Sequence, residues 1–314
     1  MTEALHRWLH RLEERLHPPA EDVDLLEQAA RMAGPIRLVA DSGCDLPPAL
    51  IEQHGIVLVP LVVRFGTEVL LETDLSRDAF WQHAQGPFPP ETSQPSSGVF
   101  EAAFAPLVES GAAVLCFTIT SRHSGTYSSA WAAAQRFPGR VLVWDSRSLS
   151  VGMGLQLLEA ARLVREGLSC WEVVRRVAEV RRNSRLTILL DTVEYLRRGG
   201  RVQGAIKVLE SLVRILNVRP LLRMVDGELR VLGAARSFRL GLARLRGEAR
   251  AAQPLYRLAV GHTRRPEEAV GLAEEIAREC ALPAHAVLVA EVGPALASHG
   301  GPGLLGIVSV SRGC

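Results

Sequence analysis

The sequence lacks most of the features that mark a nucleic-acid-binding, secreted or membrane-spanning protein. Aromatic residues make up 5% of the 314 residues and the formal net charge is +2, so neither a base-stacking surface nor a general attraction to nucleic acid is expected. The five cysteines are scattered and form no CxxC pair, which favours reduced, buried thiols over a disulfide framework or a metal site. No apolar run approaches the roughly 20 residues that span a bilayer, and acidic residues near the start argue against a signal peptide. We expect a soluble cytoplasmic protein with no nucleic-acid partner, no metal and no stable membrane insertion.

Several motifs of common enzymes are also missing. There is no Walker sequence, no HExxH and no GxSxG elbow, and Gly152-Met153-Gly154 lacks the third glycine and the preceding strand of a dinucleotide-binding turn. Catalytic function is therefore not indicated by any standard signature.

The chain is long enough for two domains, with 47% hydrophobic residues. Apolar residues at helical spacing predict a helix over 4–16 and a second one ending near Met32, so residues 1–35 form a helical extension. This extension either packs on a partner or a second copy, or covers its own domain. We favour the second interpretation.

From residue 36 onwards, continuous apolar strands alternate with helices. Strands are predicted at 36–41, 57–65, 113–119, 140–145 and 186–191, a pattern typical of a parallel sheet covered on both faces. In such sheets, ligands bind at the carboxyl ends of the strands.

The second half has a different pattern. Residues 219–233 predict a hairpin around Asp226-Gly227, and further helices and strands alternate up to residue 311. The fold class is α/β with two lobes: a mostly parallel N-terminal sheet flanked by helices over 36–150, and an α+β C-terminal lobe over 151–314.

Residues 192–220 hold the first candidate site. A short helix runs into RRGGR at 197–201, where Gly199 and Gly200 permit a sharp turn and Arg201 stands at the predicted start of another helix. A guanidinium beside a helix N-terminus suits a carboxylate or phosphate, although a helical corner with solvated arginines has the same pattern.

Three more polar clusters are candidates. Thr92 and Ser93 precede a helix that begins near Ser96 or Ser97, too early to cap it, while Ser124-Gly125-Thr126 starts a helix after a buried strand and is either an anion site or a plain cap. His299 stands before a glycine-rich turn, where a lone histidine is usually solvated.

Taken together, these motifs resemble the DegV family, and the resemblance spans nearly everything after residue 35. The matching segments, in order, are ADSGCDLP (40–47), VPL (59–61), TSQPS (92–96), SGTYSSA (124–130), VWDSRSLSVGMG (143–154), YLRRGGRV (195–202), ILNVRPLL (215–222), DGEL (226–229) and SHGGPG (298–303). TSQPS, SGTY and RGGR in this order are highly specific.

The resemblance implies two α/β lobes with a long-chain fatty acid between them. It also implies that the protein presents this acid to a separate ATP-binding kinase subunit, related to dihydroxyacetone kinases, which makes acyl phosphate in phospholipid metabolism. Transient membrane contact fits that role. Position by position, the carboxylate-binding residues would be Thr92, Ser93, Ser124, Arg201 and His299, with Gly125, Thr126, Gly199 and Gly200 in support.

Three segments depart from the family pattern. His123 replaces the leucine usual before the SGTY serine, the acidic segment after the second strand is altered to GTEVLLETD (66–74), and the extension 1–35 is additional. His123 adds a polar group near the predicted site.

The residues themselves fit a lipid acid. Burying an acyl chain gains about 0.8 kcal/mol per CH₂, whereas its carboxylate must meet several donors. We therefore expect a lipid-binding protein, not an enzyme, with no cofactor and no catalytic residue. Two alternatives stay open: a carrier of a small phosphate or sugar-like ligand, and a serine hydrolase using Ser124 or Ser93 with His299.

Overall fold

The computed structural model describes residues 20–199 and 218–312, and three β-sheets organise this part of the chain. The helices are α1 Ala20–Arg31, α2 Pro48–Gln53, α3 Arg77–Ala84, α4 Ser97–Glu109, α5 Thr126–Ala134, α6 Val151–Arg165, α7 Cys170–Asn183, α8 Glu194–Gly199, α9 Phe238–Ala251, α10 Pro266–Glu279 and α11 Pro294–Gly300. The strands are β1 Ile36–Asp41, β2 Val57–Val59, β3 Val62–Phe65, β4 Glu68–Leu71, β5 Pro90–Ser93, β6 Ala113–Thr118, β7 Val141–Asp145, β8 Ser184–Leu189, β9 Arg219–Val225, β10 Glu228–Ala235, β11 Leu255–His262, β12 Val287–Glu291 and β13 Leu305–Ser311.

The first sheet is parallel, in the order β2-β1-β6-β7. Every residue of β6 is buried, because α4 and α5 cover one face of the sheet while α6 and α7 cover the other. The predicted α/β class, with a parallel sheet between helices, is confirmed.

The second sheet is mixed, in the order β10-β9-β8-β13-β11-β12. The prediction that residues 186–191 continue the parallel sheet is wrong, because β8 lies antiparallel to both β13 and β9. A strand buried on both faces has a continuous apolar sequence whichever direction its neighbours run. The predicted hairpin at 219–233 is present as β9 and β10, with Asp226 and Gly227 at positive φ in its turn.

A third, antiparallel sheet of order β4-β3-β5 was not predicted. The single strand predicted over 57–65 is divided at Pro60 into β2, which joins the first sheet, and β3, which forms the centre of the third. Proline has no N–H to donate to a ladder, so the chain changes sheets there. The third sheet matters because β5 carries Thr92.

Helix α1 packs on α7. The buried carboxylate of Asp22 pairs with Arg181 and Arg182, and the Arg181 guanidinium lies 4.2 Å from the centroid of the Trp144 ring. Residues 20–31 thus cover their own chain, whereas the helix predicted over 4–16 lies outside the described residues. The boundaries proposed at 35 and 150 remain predictions.

Candidate functional site

A cavity opens where the three sheets meet, and it encloses about 1020 Å³ including the space at its mouth. Its walls are mainly apolar. The apolar side chains come from the second sheet, from α6, α8 and α11, and from the loops that connect the elements: Leu61, Ile119, Leu149, Val151, Leu186, Ile188, Leu190, Leu196, Leu222, Leu229, Val292, Ala295, Leu296 and Leu304. A cavity lined mainly by aliphatic side chains suits an apolar ligand.

Two predicted site residues that are 207 positions apart meet at this cavity. The Thr92 Oγ1 and the His299 Nε2 atoms are 2.7 Å apart, a hydrogen bond in which either atom can donate according to the tautomer of the ring. Thr92 lies on β5, opposite Val63 of β3. His299 lies in the last turn of α11 and is partly buried, so it is not in a loop.

Ser124 lies at the same cavity, in front of α5. Its hydroxyl is 2.7 Å from Thr126 Oγ1 and accepts a hydrogen bond from the Thr126 N–H at 3.2 Å. Thr126 is fully buried, so it fixes the orientation of the Ser124 side chain. The structure thus brings Ser124 and Thr126 together at the cavity, and their roles as site and support residues remain predictions.

Gly125 joins this segment to the TSQPS segment. A Cβ atom at Gly125 would lie 2.7 Å from the Gln94 Nε2 atom, so the Gln94 side chain occupies the space that any larger residue would need. Ser93 and Gln94 are exposed and also line the cavity. We refer to Thr92, Ser93, Gln94, Ser124 and His299, which line the same cavity, as its polar end.

The RGGR segment begins beside the same cavity. Leu196 of α8 lines the wall, and Tyr195 lies so close to Gly301 that a Cβ there would be 2.7 Å from the tyrosine ring. Gly199 is the last residue of α8. Gly200 and Arg201 lie outside the described residues, so their part in the site remains a prediction.

Three polar residues that line the cavity, Gln94, His123 and Ser150, were not among the predicted site residues. Gln94 belongs to the TSQPS motif, of which only Thr92 and Ser93 were predicted to bind the ligand. His123, noted only as a departure from the family pattern, accepts a hydrogen bond at Nε2 from the Leu229 N–H at 2.9 Å. It thereby ties the hairpin of the second sheet to the loop that carries Ser124.

Three buried acids, none of them among the predicted site residues, bond to backbone N–H groups of segments near the cavity. Asp41, Asp45 and Glu72 are each at most 4% exposed. Burial raises the pKa of Asp41 to about 8 against the lowering effect of hydrogen bonds from the backbone N–H groups of Ile119 and Gly43. Burial also raises the pKa of Asp45 and of Glu72, and the proximity of the two carboxyls raises that of Asp45 further.

The chemistry available at the polar end is that of hydrogen-bond donors. The hydroxyls, the Gln94 amide and the His299 ring can surround a small anionic group. Within residues 20–199 and 218–312, no cluster of three or more histidine, cysteine, aspartate or glutamate side chains is arranged to hold a metal ion. No helix in the same ranges is long and apolar enough to cross a bilayer.

Comparison with known proteins places the chain among close structural relatives. A DegV domain-containing protein of Streptomyces coelicolor is 34% identical over 286 residues, which cover 90% of this chain and 100% of that protein. The solved structure of a fatty-acid-binding DegV family protein from Thermus thermophilus is 31% identical, with a TM-score of 0.81, covering 89% of this chain and all of that one. A stearic-acid-binding protein from Eubacterium ventriosum is 26% identical, with a TM-score of 0.79, covering 88% and 98% of the two chains.

The family-level match covers nearly the whole chain. The family model described as "Uncharacterised protein, DegV family" matches residues 35–312, which include every segment of the three sheets. The sequence relative and the structural neighbours agree with it. The chain belongs to the DegV family.

Proposed function

We propose that this protein binds a long-chain fatty acid, with the acyl chain in the cavity and the carboxylate at Thr92, Ser93, Ser124 and His299. The observation that carries the proposal is the composition of the site: a cavity with a mainly aliphatic wall that also carries hydroxyls and an imidazole, with Thr92 bonded to His299. The related proteins from Thermus thermophilus and Eubacterium ventriosum bind fatty acids, which supports the same ligand here. Arg201 is proposed as a further carboxylate donor.

The energetics favour such a ligand. A chain of about 16 carbons gains roughly 10 kcal/mol on burial, before the free energy lost on association. The carboxylate would forfeit much of this gain in an apolar cavity unless donors replaced its water. Hydroxyls held in place by neighbours, such as Ser124 by Thr126, provide donors whose orientation is already set.

Both alternatives from the sequence fit the structure less well. A carrier of a small phosphate or sugar-like ligand would need a short, polar cavity, whereas this one has at least fourteen aliphatic or alanine side chains in its wall. A serine hydrolase would need a serine paired with His299. Among the described residues the His299 Nε2 atom bonds to Thr92, and the Ser124 hydroxyl bonds to Thr126.

The binding proposal is tested on the purified protein. Native mass spectrometry should show a bound lipid, and solvent extraction should release a long-chain fatty acid. The extracted protein should bind such an acid again when it is added. Absence of lipid together with absence of rebinding would contradict the proposal.

We also propose that the bound acid is presented to a partner, an ATP-binding kinase subunit related to dihydroxyacetone kinases. In that reaction a carboxylate oxygen accepts the γ-phosphoryl group of ATP, and ADP leaves. The lipid-loaded protein with ATP alone should yield no acyl phosphate, whereas addition of the kinase should yield one that hydroxylamine traps as a hydroxamate. Formation of acyl phosphate without the kinase would make this chain an enzyme in its own right.

A further inference from the structure

The helix that carries His299 is held at its first turn by two buried carboxyls. The Asp45 Oδ1 atom accepts a hydrogen bond from the Gly293 N–H at 2.9 Å, and the Glu72 Oε1 atom accepts one from the Ala295 N–H at 2.8 Å. Both acids come from segments more than 220 residues earlier in the chain. Helix α11 is therefore attached to the N-terminal half of the molecule from its first residue.

The two carboxyls are themselves held in place. The Ser150 hydroxyl donates to Asp45 and the Ser42 hydroxyl donates to Glu72, so both oxygens of each carboxyl have partners. They converge on Gly293, where a Cβ would lie 2.5 Å from Glu72 Oε1 and 2.8 Å from Asp45 Oδ1. The start of α11 consequently has little freedom to shift.

The same small sheet holds both ends of α11. Glu72 directly follows β4 and accepts a hydrogen bond from the first turn, while Thr92 on β5 is hydrogen-bonded to His299 in the last turn. Strand β3 pairs with both β4 and β5, so the distance between these two attachments is set by one sheet. A helix rises about 1.5 Å per residue, so a shift of its first turn carries over to the His299 ring.

We propose that Asp45 and Glu72 are positioning residues for the fatty-acid carboxylate, acting through His299; this rests on the proposed function. An ordinary helix cap needs one side chain and tolerates solvent. Here two acids from separate segments are buried against one turn, although burying polar carboxyls is unfavourable unless they are hydrogen-bonded. Such a costly arrangement fits a role in orienting the His299 imidazole at the cavity.

The test compares two ligands that differ only at the polar end: a long-chain fatty acid and the primary alcohol of the same chain length. The wild-type protein should bind the acid at least about tenfold more tightly than the alcohol, as hydrogen bonds to a charged group predict. Glu72→Ala should weaken acid binding about tenfold and change alcohol binding less than about twofold. In a His299→Ala background, Glu72→Ala should cause no further loss of acid affinity, because the two residues act as a unit.

Three further variants make the result decisive. Glu72→Gln keeps an oxygen that can accept from the Ala295 N–H and should retain most of the preference for the acid. Glu159→Ala removes a buried acid that pairs with Arg162 and Arg176, away from α11, and should leave the preference unchanged. If Glu72→Ala does not fold, Glu72→Asp takes its place in the test. This variant moves the carboxyl away from the Ala295 N–H by one methylene and should lower the preference for the acid.

The outcomes separate this inference from the proposed function. Equal losses of acid and alcohol affinity in Glu72→Ala, or a full additional loss in the His299→Ala background, would show that the carboxyls have only a structural role and would overturn the inference. With Glu72→Asp as the test, an unchanged preference would do the same. If the wild-type protein binds neither ligand, or both equally, the proposed function fails first.

Discussion

At the scale of single residues, the contact between Thr92 and His299 defines the polar end of the cavity. Thr92→Val removes the hydroxyl and keeps the shape of the side chain. We expect fatty-acid affinity to fall about ten- to a hundredfold, because a hydrogen bond to a charged group contributes about 1.5–3 kcal/mol. Isothermal titration of extracted protein with a long-chain acid measures this. Thr73→Val, on an exposed turn, is the matched control and should bind as the wild type does.

The buried carboxyl of Asp41 predicts a pH dependence of stability. Its pKa is raised by burial to about 8 in the folded protein, against about 4 in the unfolded chain. The folded state therefore holds this proton more tightly, so the contribution of Asp41 to the unfolding free energy is most favourable below about pH 4 and declines as the pH rises towards 8.

The matching variant is Asp41→Asn, studied by urea unfolding at several pH values. The decline attributable to Asp41, about 1.4 kcal/mol per pH unit at its steepest, should be absent from the variant. The variant can be less stable overall, because its amide N–H₂ faces one of the two backbone N–H groups that the carboxyl accepts from. An identical slope in both proteins would contradict the prediction.

Part of the polar lining of the cavity was predictable at the residue scale, because it lies in short polar runs that interrupt apolar strands. Thr92, Ser124 and His299 were selected in this way, and all three line the cavity. Asp45 and Glu72 were not, since a buried acid that holds a distant backbone N–H looks in sequence like any loop carboxylate. Gln94 was missed for a related reason: its place over Gly125 depends on two segments that meet only in the folded chain.

At the scale of elements, the β9–β10 hairpin reaches across to the loop after β6. The Thr120 hydroxyl donates to the Gly227 carbonyl at 2.8 Å, and the Leu229 N–H donates to His123. Gly227 has a φ of +80°, and a Cβ there would lie 2.5 Å from the Thr120 Oγ1 atom. The turn of the hairpin is therefore constrained both by its own backbone and by its neighbour.

Gly227→Ala should destabilise the protein through both constraints. Gly167→Ala is a close control, because Gly167 has a φ of +81° with nothing within 4 Å of the added Cβ. We expect the control to lower the unfolding free energy by about 1–2 kcal/mol through backbone strain alone. Gly227→Ala should cost about 1–3 kcal/mol more, as the bond to Thr120 is displaced. Urea denaturation measures both, and equal losses would show that the contact with Thr120 contributes nothing.

Elements with strong local signals were predicted well, and those that depend on tertiary contacts were not. The hairpin has a turn pair that favours positive φ, so its position was predictable. Helix α11 has only seven residues, and such a short helix depends on contacts like those with Asp45 and Glu72. Strand β5 contains Pro90 and four residues in all, so no periodicity marks it.

At the scale of the whole molecule, the cavity wall combines strands of two sheets with helices and loops from both halves of the chain. Ile188 comes from the second sheet and Thr92 from the third, and Ile119 lies in the loop directly after β6 of the first. A ligand in the cavity would thus contact segments from both halves of the described chain. Because it binds the folded state alone, its removal should lower the stability of the entire protein.

Delipidation should therefore lower the thermal unfolding midpoint, and a long-chain fatty acid should restore it. At a ligand concentration 100 times the Kd, the gain is about 2.7 kcal/mol. Acetate carries the same carboxylate without the chain and should give no shift, because most of the binding free energy comes from burying methylene groups. Differential scanning calorimetry of extracted protein measures the midpoint. A shift with acetate as large as with the long-chain acid would contradict the proposed ligand.

The overall α/β architecture was predictable because alternating helices and apolar strands have few compact arrangements. That β8 belongs to the second sheet and not to the first was not predictable, because a buried strand has the same continuous apolar sequence in either sheet. The cavity itself was also hidden, since aliphatic residues that line a hollow have the same sequence pattern as those that fill a core.

The close approach of the Gln94 side chain to Gly125 has a consequence for sequence changes at this site among relatives. A Cβ at 125 would meet the end of the exposed Gln94 side chain, so an alanine there would displace the Gln94 amide. A larger residue at 125 would thereby withdraw this amide from the polar end of the cavity. Relatives that differ at position 125 should accordingly differ in how they contact the ligand headgroup.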